Sequence, residues 1–597
     1  MTNILAKTFG TVGKSLALLI VVPLVAVFLW LPWLIIALLP VPIRLKSRWI
    51  WALRSGFWNL WATLKFQGNK PVDITVPGRM TWWRWVLVYF FGKSLKNIKR
   101  VPFETIFPSI RISNIKVAGH EPADEWDWKM KLGTWLQVKL YTLFPPMQEG
   151  LDSIDPDPYE ALRAAYTKRH RKLFDPPVMP LEFQGSPDLG ALAVKGPYAC
   201  YLRKYERSKE SDEYNNTWDM QEFEKCADWL YEWDFRDLNQ CEHHDGLYKL
   251  GVRVLFLADK IAGTVKPIRI KSELGLSIPS DATWEFAKKL ALCAATNHLS
   301  LVRHFNGVHL ASSAHVAIAT RNWLFPDHCL CRLLWPHTFR TQQSNRAVTI
   351  VQMVKGGDFD SIFSFTHQGM CDLFSGTFGQ YKFIVNDPEK DAQDRGIDKG
   401  GFATPTQNDA QELFKLFRQH ARDYIEIYYK SNAAIQKDGD IERWLEELNA
   451  TIPNGIGGVL NGPITRDSVA NLIGCFIYLA TVQHDIVGSF LWNYQLWAHK
   501  QPTRLYRDGR RLPLDVYQRL VNANYNLNVF RTALMLDEKE PPFRKDFSYL
   551  ALPDKSGAAN VLKKFQTELK DFEAKWRMEP WHVWRVYPKL LEANINA

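Results

Sequence analysis

Cysteine is scarce. The 597 residues include eight, and the closest pair is Cys329-Leu330-Cys331. That spacing is not a usual zinc arrangement, so the thiols are expected to be reduced and the compartment reducing. No HExxH and no CxxCH motif occurs, which argues against a zinc hydrolase of that type and against a covalently attached haem. Also missing are a recognisable nucleic-acid-binding motif, an internal repeat and a low-complexity segment. Lys and Arg outnumber Asp and Glu by 74 to 63, a net charge of +11. The basic residues are scattered rather than blocked, so anionic lipid is the expected partner and nucleic acid is not.

The longest stretch without charge is residues 16–43, 28 positions with no Asp, Glu, Lys or Arg. As a helix it would extend about 42 Å, more than the roughly 30 Å hydrocarbon core of a bilayer. It can therefore span with a tilt, and Pro23 and Pro32 are tolerated there and can bend it. A cleaved signal peptide would have a shorter apolar region followed by a small-residue cleavage site. Arg44, Lys46, Arg48 and Arg54 follow the run, while Lys7 and Lys14 precede it. This bias predicts a single-pass anchor with the large C-terminal part in the cytoplasm. A second run, WWRWVLVYFF at 82–91, is too short to span; it reads as interfacial or as core.

Composition is otherwise globular, 46% hydrophobic and 23% charged. The 24 Trp are many, and several lie near apolar runs, as suits a protein that meets a membrane interface. By length the chain could hold three or four domains. The reading here is an anchor at 1–60, the membrane-proximal N-terminal part of the catalytic region at 61–245 and the core at 246–597. The run Val252 to Leu257, the turn Ala262-Gly263-Thr264 and the run Lys266 to Ile270 predict a β-hairpin. Helical patterns follow in the first half of 284–345, at 410–430 and at 469–497.

Six of the fifteen histidines fall between Trp284 and Asn345: His298, His304, His309, His315, His328 and His337. The helix that begins this stretch is apolar nearly all round, which places it in a core. A buried imidazole needs a partner, a carbonyl or a metal, because an unsatisfied polar group costs about 1–3 kcal/mol. The 469–497 pattern is likewise apolar on almost every face and carries His484. Two core helices with histidine at the middle are the geometry in which facing side chains build a metal site.

These residues resemble the lipoxygenases, non-haem iron dioxygenases of polyunsaturated fatty acids. The resemblance runs in order from about Tyr248 to the end. It rests on the hairpin VLFLADKIAGTVKPIRI, Trp284-Glu-Phe-Ala287-Lys288, His304 as the second histidine of the family's H-x4-H pair, and His309, His328, His337 and Asn345 beyond it. It continues through YIEIYYKSNAAIQKDGDIERWLEEL at 424–448, Val482-Gln483-His484 and the ending WRVYPKLLEANINA at 584–597. It implies a mainly α, lipoxygenase-like catalytic domain with small β elements, here following a transmembrane helix. It implies iron held by His298, His304, His484 and the α-carboxylate of Ala597. An unsaturated, lipid-like substrate and O2 would be the partners. No side chain is expected to serve as base, that role falling to a hydroxide on the iron.

Three departures bear on this. The first histidine of the pair belongs at 299, which is Leu299; His298 is one residue early. On a regular helix one residue turns a side chain by about 100°. His298 and His304 therefore converge only through a local distortion such as a π-bulge; otherwise His309 serves instead. The family's weak amide ligand, four residues after the third histidine, is replaced by Gly488, with Asp485, Ser489 or Asn493 as possible substitutes. The small residue beside the oxygen pocket is replaced by Val348. The expected function is a membrane-anchored, lipoxygenase-like iron oxygenase that abstracts hydrogen and inserts oxygen. The alternative is the same fold with a degenerate iron site, acting as a membrane-bound lipid-binding or scaffold protein.

Overall fold

The computed structural model describes residues 178–206, 228–324, 328–338, 352–460, 462–489, 491–513, 546–551 and 556–595, with a few isolated positions besides. The expected anchor at 16–43, the run at 82–91 and Val348 lie outside the described residues, apart from single positions within the anchor.

The predicted hairpin forms as β3 (Arg253–Asp259) and β4 (Thr264–Ser272). Its turn is made by Asp259, whose carboxylate accepts the backbone N–H groups of Ile261 and Ala262, and by Gly263 at φ 64°, a conformation that glycine adopts without a Cβ penalty. The sheet is larger than the hairpin. Strands β1 (Arg203–Lys204), β2 (Leu230–Asp234) and β5 (Gly275–Ser277) complete an antiparallel meander in the order β1-β2-β3-β4-β5. Trp233 of β2 pairs with Val254 of β3, and its ring meets Phe256 edge-on at 5.3 Å. One hydrophobic core runs from Met179 to Ile595. Among the described residues β2 and β3 pair across position 246, and residues from 179 onward share the core.

Helix α1 (Trp284–His298) continues without a break into a π-helical segment, Leu299–Ser313, and then into α2 (Ala314–Trp323). The π-segment replaces i→i+4 backbone bonds by i→i+5 bonds. The Ser312 hydroxyl supports the wide turn by donating to the carbonyls of Gly307 and Val308. Beyond it lie α3 (Cys329–Thr338), α4 (His367–Phe378), α5 (Pro405–Tyr428) and α6 (Gly439–Thr451). Helix α5 buries Ala410, Leu413, Phe414, Phe417, Ala421 and Tyr424, one helical stripe, and packs on α7 (Arg466–Tyr478) and α8 (Ser556–Arg577).

Helix α7 starts at a reciprocal cap between Thr465 and Ser468 and likewise widens, into π-helical turns at Leu479–Gln483 and Asp485–Ser489 on either side of His484. The run Arg466–Gly488 is long and apolar enough to cross a membrane, but 94% of its most apolar window is buried inside the protein. It is a core helix, and its burial places His484 at the centre of the molecule.

Candidate metal centre

His304 and His309 both project from the π-segment. On a regular α-helix five residues turn about 500°, which would leave the two rings some 140° apart. With i→i+5 bonding, five residues close on about one turn, and both rings point the same way. They meet His484, between the two widened turns of the facing helix. The ring centroids are 4.8 Å apart for His304 and His309, 5.2 Å for His304 and His484, and 5.4 Å for His309 and His484. One nitrogen from each imidazole lies within 4.8 Å of the others.

All three rings are buried. Burial, with the neighbouring His309 and His484 adding to it, drives the His304 imidazole well below its ordinary pKa and holds it neutral. Neutral imidazole is the metal-binding form. The His309 tautomer is fixed by Asn345. The Asn345 amide donates to the His309 carbonyl at 2.9 Å, so its Oδ1 accepts from His309 Nδ1–H at 2.8 Å. His309 Nε2 is thereby left as a lone pair, 3.1 Å from His304 Nε2. His304 Nδ1 is buried with no hydrogen-bond partner among the described residues. Neutral His304 carries one proton. If that proton is on Nδ1, two lone pairs face each other; if it is on Nε2, Nδ1 is a buried orphan. A cation between the rings resolves the conflict, and on this ground the donor set fits a metal.

Asp485 and Glu592 form a second buried cluster with His484. Asp485 Oδ2 accepts the Glu592 N–H at 2.9 Å, and His337 Nδ1 donates to the Ala593 carbonyl at 2.7 Å. These bonds hold the C-terminal segment against the histidines. The possible ligand Asp485 is thus turned toward that segment. Ala597 lies outside the described residues.

The structure places His298, an expected ligand, outside the cluster. Its Nδ1 is hydrogen-bonded with the Tyr201 hydroxyl at 2.9 Å, its Nε2 is 3.8 Å from Asp237, and it is not part of the cluster. Burial pushes its pKa down to about 3. It precedes the widened turns, so they do not rotate it toward His304. His309, the alternative to it, lies in the cluster. The signal was in the sequence: His304 and His309 are themselves an H-x4-H pair.

Of the substitutes for the missing amide, Asn493 accepts the Val178 N–H at 2.9 Å, and the Ser489 side chain is outside the description. Gly488 lets the His304 ring pack against the facing helix, since a Cβ there would lie 2.6 Å from His304 Nε2. The remaining histidines have other partners: His328 lies 3.4 Å from Asp438, and His315 is wholly buried in α2.

With this geometry in view, the comparisons have a structural meaning. The lipoxygenase family model matches residues 274–513, a span that holds all three clustered histidines. The chain is 22% identical over 248 residues to the manganese lipoxygenase of Pleurotus sapidus, covering 39% of this chain and 37% of that protein. It is 24% identical over 345 residues to the polyunsaturated fatty acid lipoxygenase ALOX15 of Bos taurus, covering 54% of this chain and 50% of that protein. The chain thus spans half or less of the length of these curated relatives. The crystal structure of a coral 8R-lipoxygenase superposes with a TM-score of 0.67 at 16% identity, covering 88% of this chain and 83% of that one. The fold is lipoxygenase-like, mostly helical with a small sheet among the described residues, and the matches support the lipoxygenase family.

Proposed function

We propose that this chain is a non-haem metal dioxygenase of polyunsaturated fatty acids. The observation that carries the reading is the buried triangle of imidazoles from His304, His309 and His484. In it His309 has its tautomer set by Asn345, and His304 Nδ1 has no hydrogen-bond partner among the described residues. Those three residues would hold the metal, and the α-carboxylate of Ala597 is the fourth donor we assign. Iron is the metal proposed, with manganese the competing occupant given the Pleurotus sapidus relative. A metal of this kind, when bound, supplies one-electron oxidation at an activated C–H and a route for O2.

The chain's own residues supply position and dryness. Asn345 aims the His309 lone pair. Phe305 stacks on His309 at 5.3 Å and meets Phe359 at 4.5 Å, which walls the imidazoles with hydrocarbon and excludes water. Gly488, without a Cβ, lets His304 take its place in the cluster. The degenerate-site reading rested on the displaced first histidine and the missing amide. His309 removes the first of these grounds.

The apolar run at 16–43 is assigned as a membrane anchor, with the catalytic part on the cytoplasmic side, so that lipid reaches the site from the bilayer. The test is one preparation with three readouts. The protein should stay in the membrane pellet until detergent is added. It should then contain near-stoichiometric iron or manganese, and it should consume oxygen on addition of a polyunsaturated fatty acid. A well-folded protein that takes up neither metal, even after reconstitution, would sink the dioxygenase reading.

The partner of His309 gives a finer prediction. Replacing Asn345 by Leu removes the acceptor that fixes the tautomer. Loss of such an outer partner typically costs about ten- to a hundredfold in metal affinity. Competition with a chelator should show that loss, with an Asn345→Asp variant, which keeps the acceptor, lying closer to the parent.

A further inference from the structure

Two turns of the molecule expose apolar side chains among basic ones. The first is the turn of the β3–β4 hairpin. Ile261 at its apex is fully exposed, and Trp229, just before β2, is 44% exposed. The Lys260 ammonium lies 5.2 Å from the Trp229 ring centroid and joins the two. The second is the turn that follows α8, where Met578 is 89% and Trp581 51% exposed. Leu590 is exposed close by, since the Tyr587 hydroxyl accepts the His582 N–H and the Tyr587 carbonyl accepts the Leu590 N–H. A cation precedes three of these residues in the chain: Lys260-Ile261, Arg577-Met578 and Lys589-Leu590.

Both turns rest on the start of α5. The Gly263 carbonyl of the hairpin accepts the Ala403 N–H at 3.1 Å, two residues before that helix begins. The second turn is held by Arg585, which pairs with Glu579 and with Asp409 of α5 at 2.9 Å, and by Lys575, 3.9 Å from Glu412. Asp409 and Glu412 lie about 6 and 10 Å along α5 from Pro405. The acidic residues here are engaged. Asp259 lies 3.6 Å from Lys266 and Asp228 3.6 Å from Lys204, and Asp398 is followed by Lys399. Lys260 and Lys589 join no carboxylate among the described residues, which leaves the two turns with surplus positive charge.

A few isolated side chains cannot cover the roughly 800 Å² per partner of a stable protein interface. They suit a bilayer surface instead. Trp favours the headgroup level, and a long basic side chain lays its stem on hydrocarbon while its charge stays among anionic headgroups. The apolar run at 16–43, assigned above as an anchor, would hold both turns at high local concentration over lipid. We propose that the hairpin turn and the 577–582 turn dock together on an anionic bilayer surface. Ile261, Trp229, Met578 and Trp581 enter it at headgroup depth, and the start of α5 faces the membrane. This contact is additional to the anchor and independent of the metal.

The test uses the full-length chain in nanodiscs of phosphatidylcholine and phosphatidylserine. Ile261→Cys, Met578→Cys and Lys430→Cys variants each carry a thiol-coupled fluorophore, and the parent, labelled in parallel, gives the background of native thiols. All three positions are exposed, so the substitutions leave the core intact. Lys430 lies just past the far end of α5, a 24-residue helix about 36 Å long, and is the distant control. Lipid bearing a nitroxide near its headgroup should quench the labels at 261 and 578 at least threefold more than the label at 430. Quenching at both turns should fall at least twofold in discs of phosphatidylcholine alone. Equal quenching at 430, quenching at one turn only, or no dependence on phosphatidylserine would each overturn the proposal. A chain retained in the discs with neither turn quenched overturns the docking and leaves the anchor; a chain that does not enter the discs overturns both.

Discussion

A His309→Ala variant is expected to emerge from purification almost free of metal, and a His298→Ala variant to keep it. His309 is one of three imidazoles whose donor atoms lie within 4.8 Å of one another, and Asn345 fixes the tautomer in which its Nε2 faces His304. Removing it leaves two ligating histidines. The loss in affinity should exceed the roughly ten- to hundredfold that outer partners typically contribute. Oxygen uptake should disappear with the metal. His298 makes its contacts elsewhere, with the Tyr201 hydroxyl and the rings of Tyr201 and Phe235. Its replacement leaves the Tyr201 hydroxyl without that acceptor and costs about 1–3 kcal/mol of stability, not the metal. Metal analysis of the two variants beside thermal melts decides the matter. Metal retained by His309→Ala and lost from a folded His298→Ala would reverse the ligand assignment.

Gly488→Ala should have an effect nearly as large. A Cβ at 488 would sit 2.6 Å from Nε2 and 2.8 Å from Cε1 of His304, closer than real Cβ contacts come. The His304 ring is packed between Phe305, at a centroid distance of 4.5 Å, and the other two histidines. It cannot swing aside without leaving the cluster. Overpacking of this kind costs about 1–3 kcal/mol, and the displaced ring should lower metal affinity at least tenfold. Chelator competition and a melting curve separate the two effects. A variant that melts earlier yet binds metal as the parent does would show that the backbone yields rather than His304, and the role assigned to Gly488 in seating that ring would have to be abandoned.

Much of the architecture was legible because it rests on short-range rules. The hairpin is announced by two apolar runs around Ala262-Gly263, and it formed as β3 and β4. Helices expected at 410–430 and 469–497 appear at Pro405–Tyr428 and Arg466–Ser489, since their apolar spacing decides which face is buried. The strands before residue 246 were not anticipated. Leu230–Asp234 reads LYEWD, five residues in which Glu232 interrupts the apolar pattern. That carboxylate is buried only because Arg253 pairs with it across the sheet, a partner 21 residues away.

The site shows the same division. By itself the sequence determined that histidines would sit at the middle of two buried helices and that the order and spacing of motifs would resemble the lipoxygenases. Only the tertiary structure decided which histidines meet. Going from i→i+4 to i→i+5 bonding rotates every following side chain, and neither pattern nor propensity reveals where that change begins. It begins after His298. That residue therefore stays with Tyr201, while His304 and His309, nearly opposed on a regular helix, come to share one face with His484.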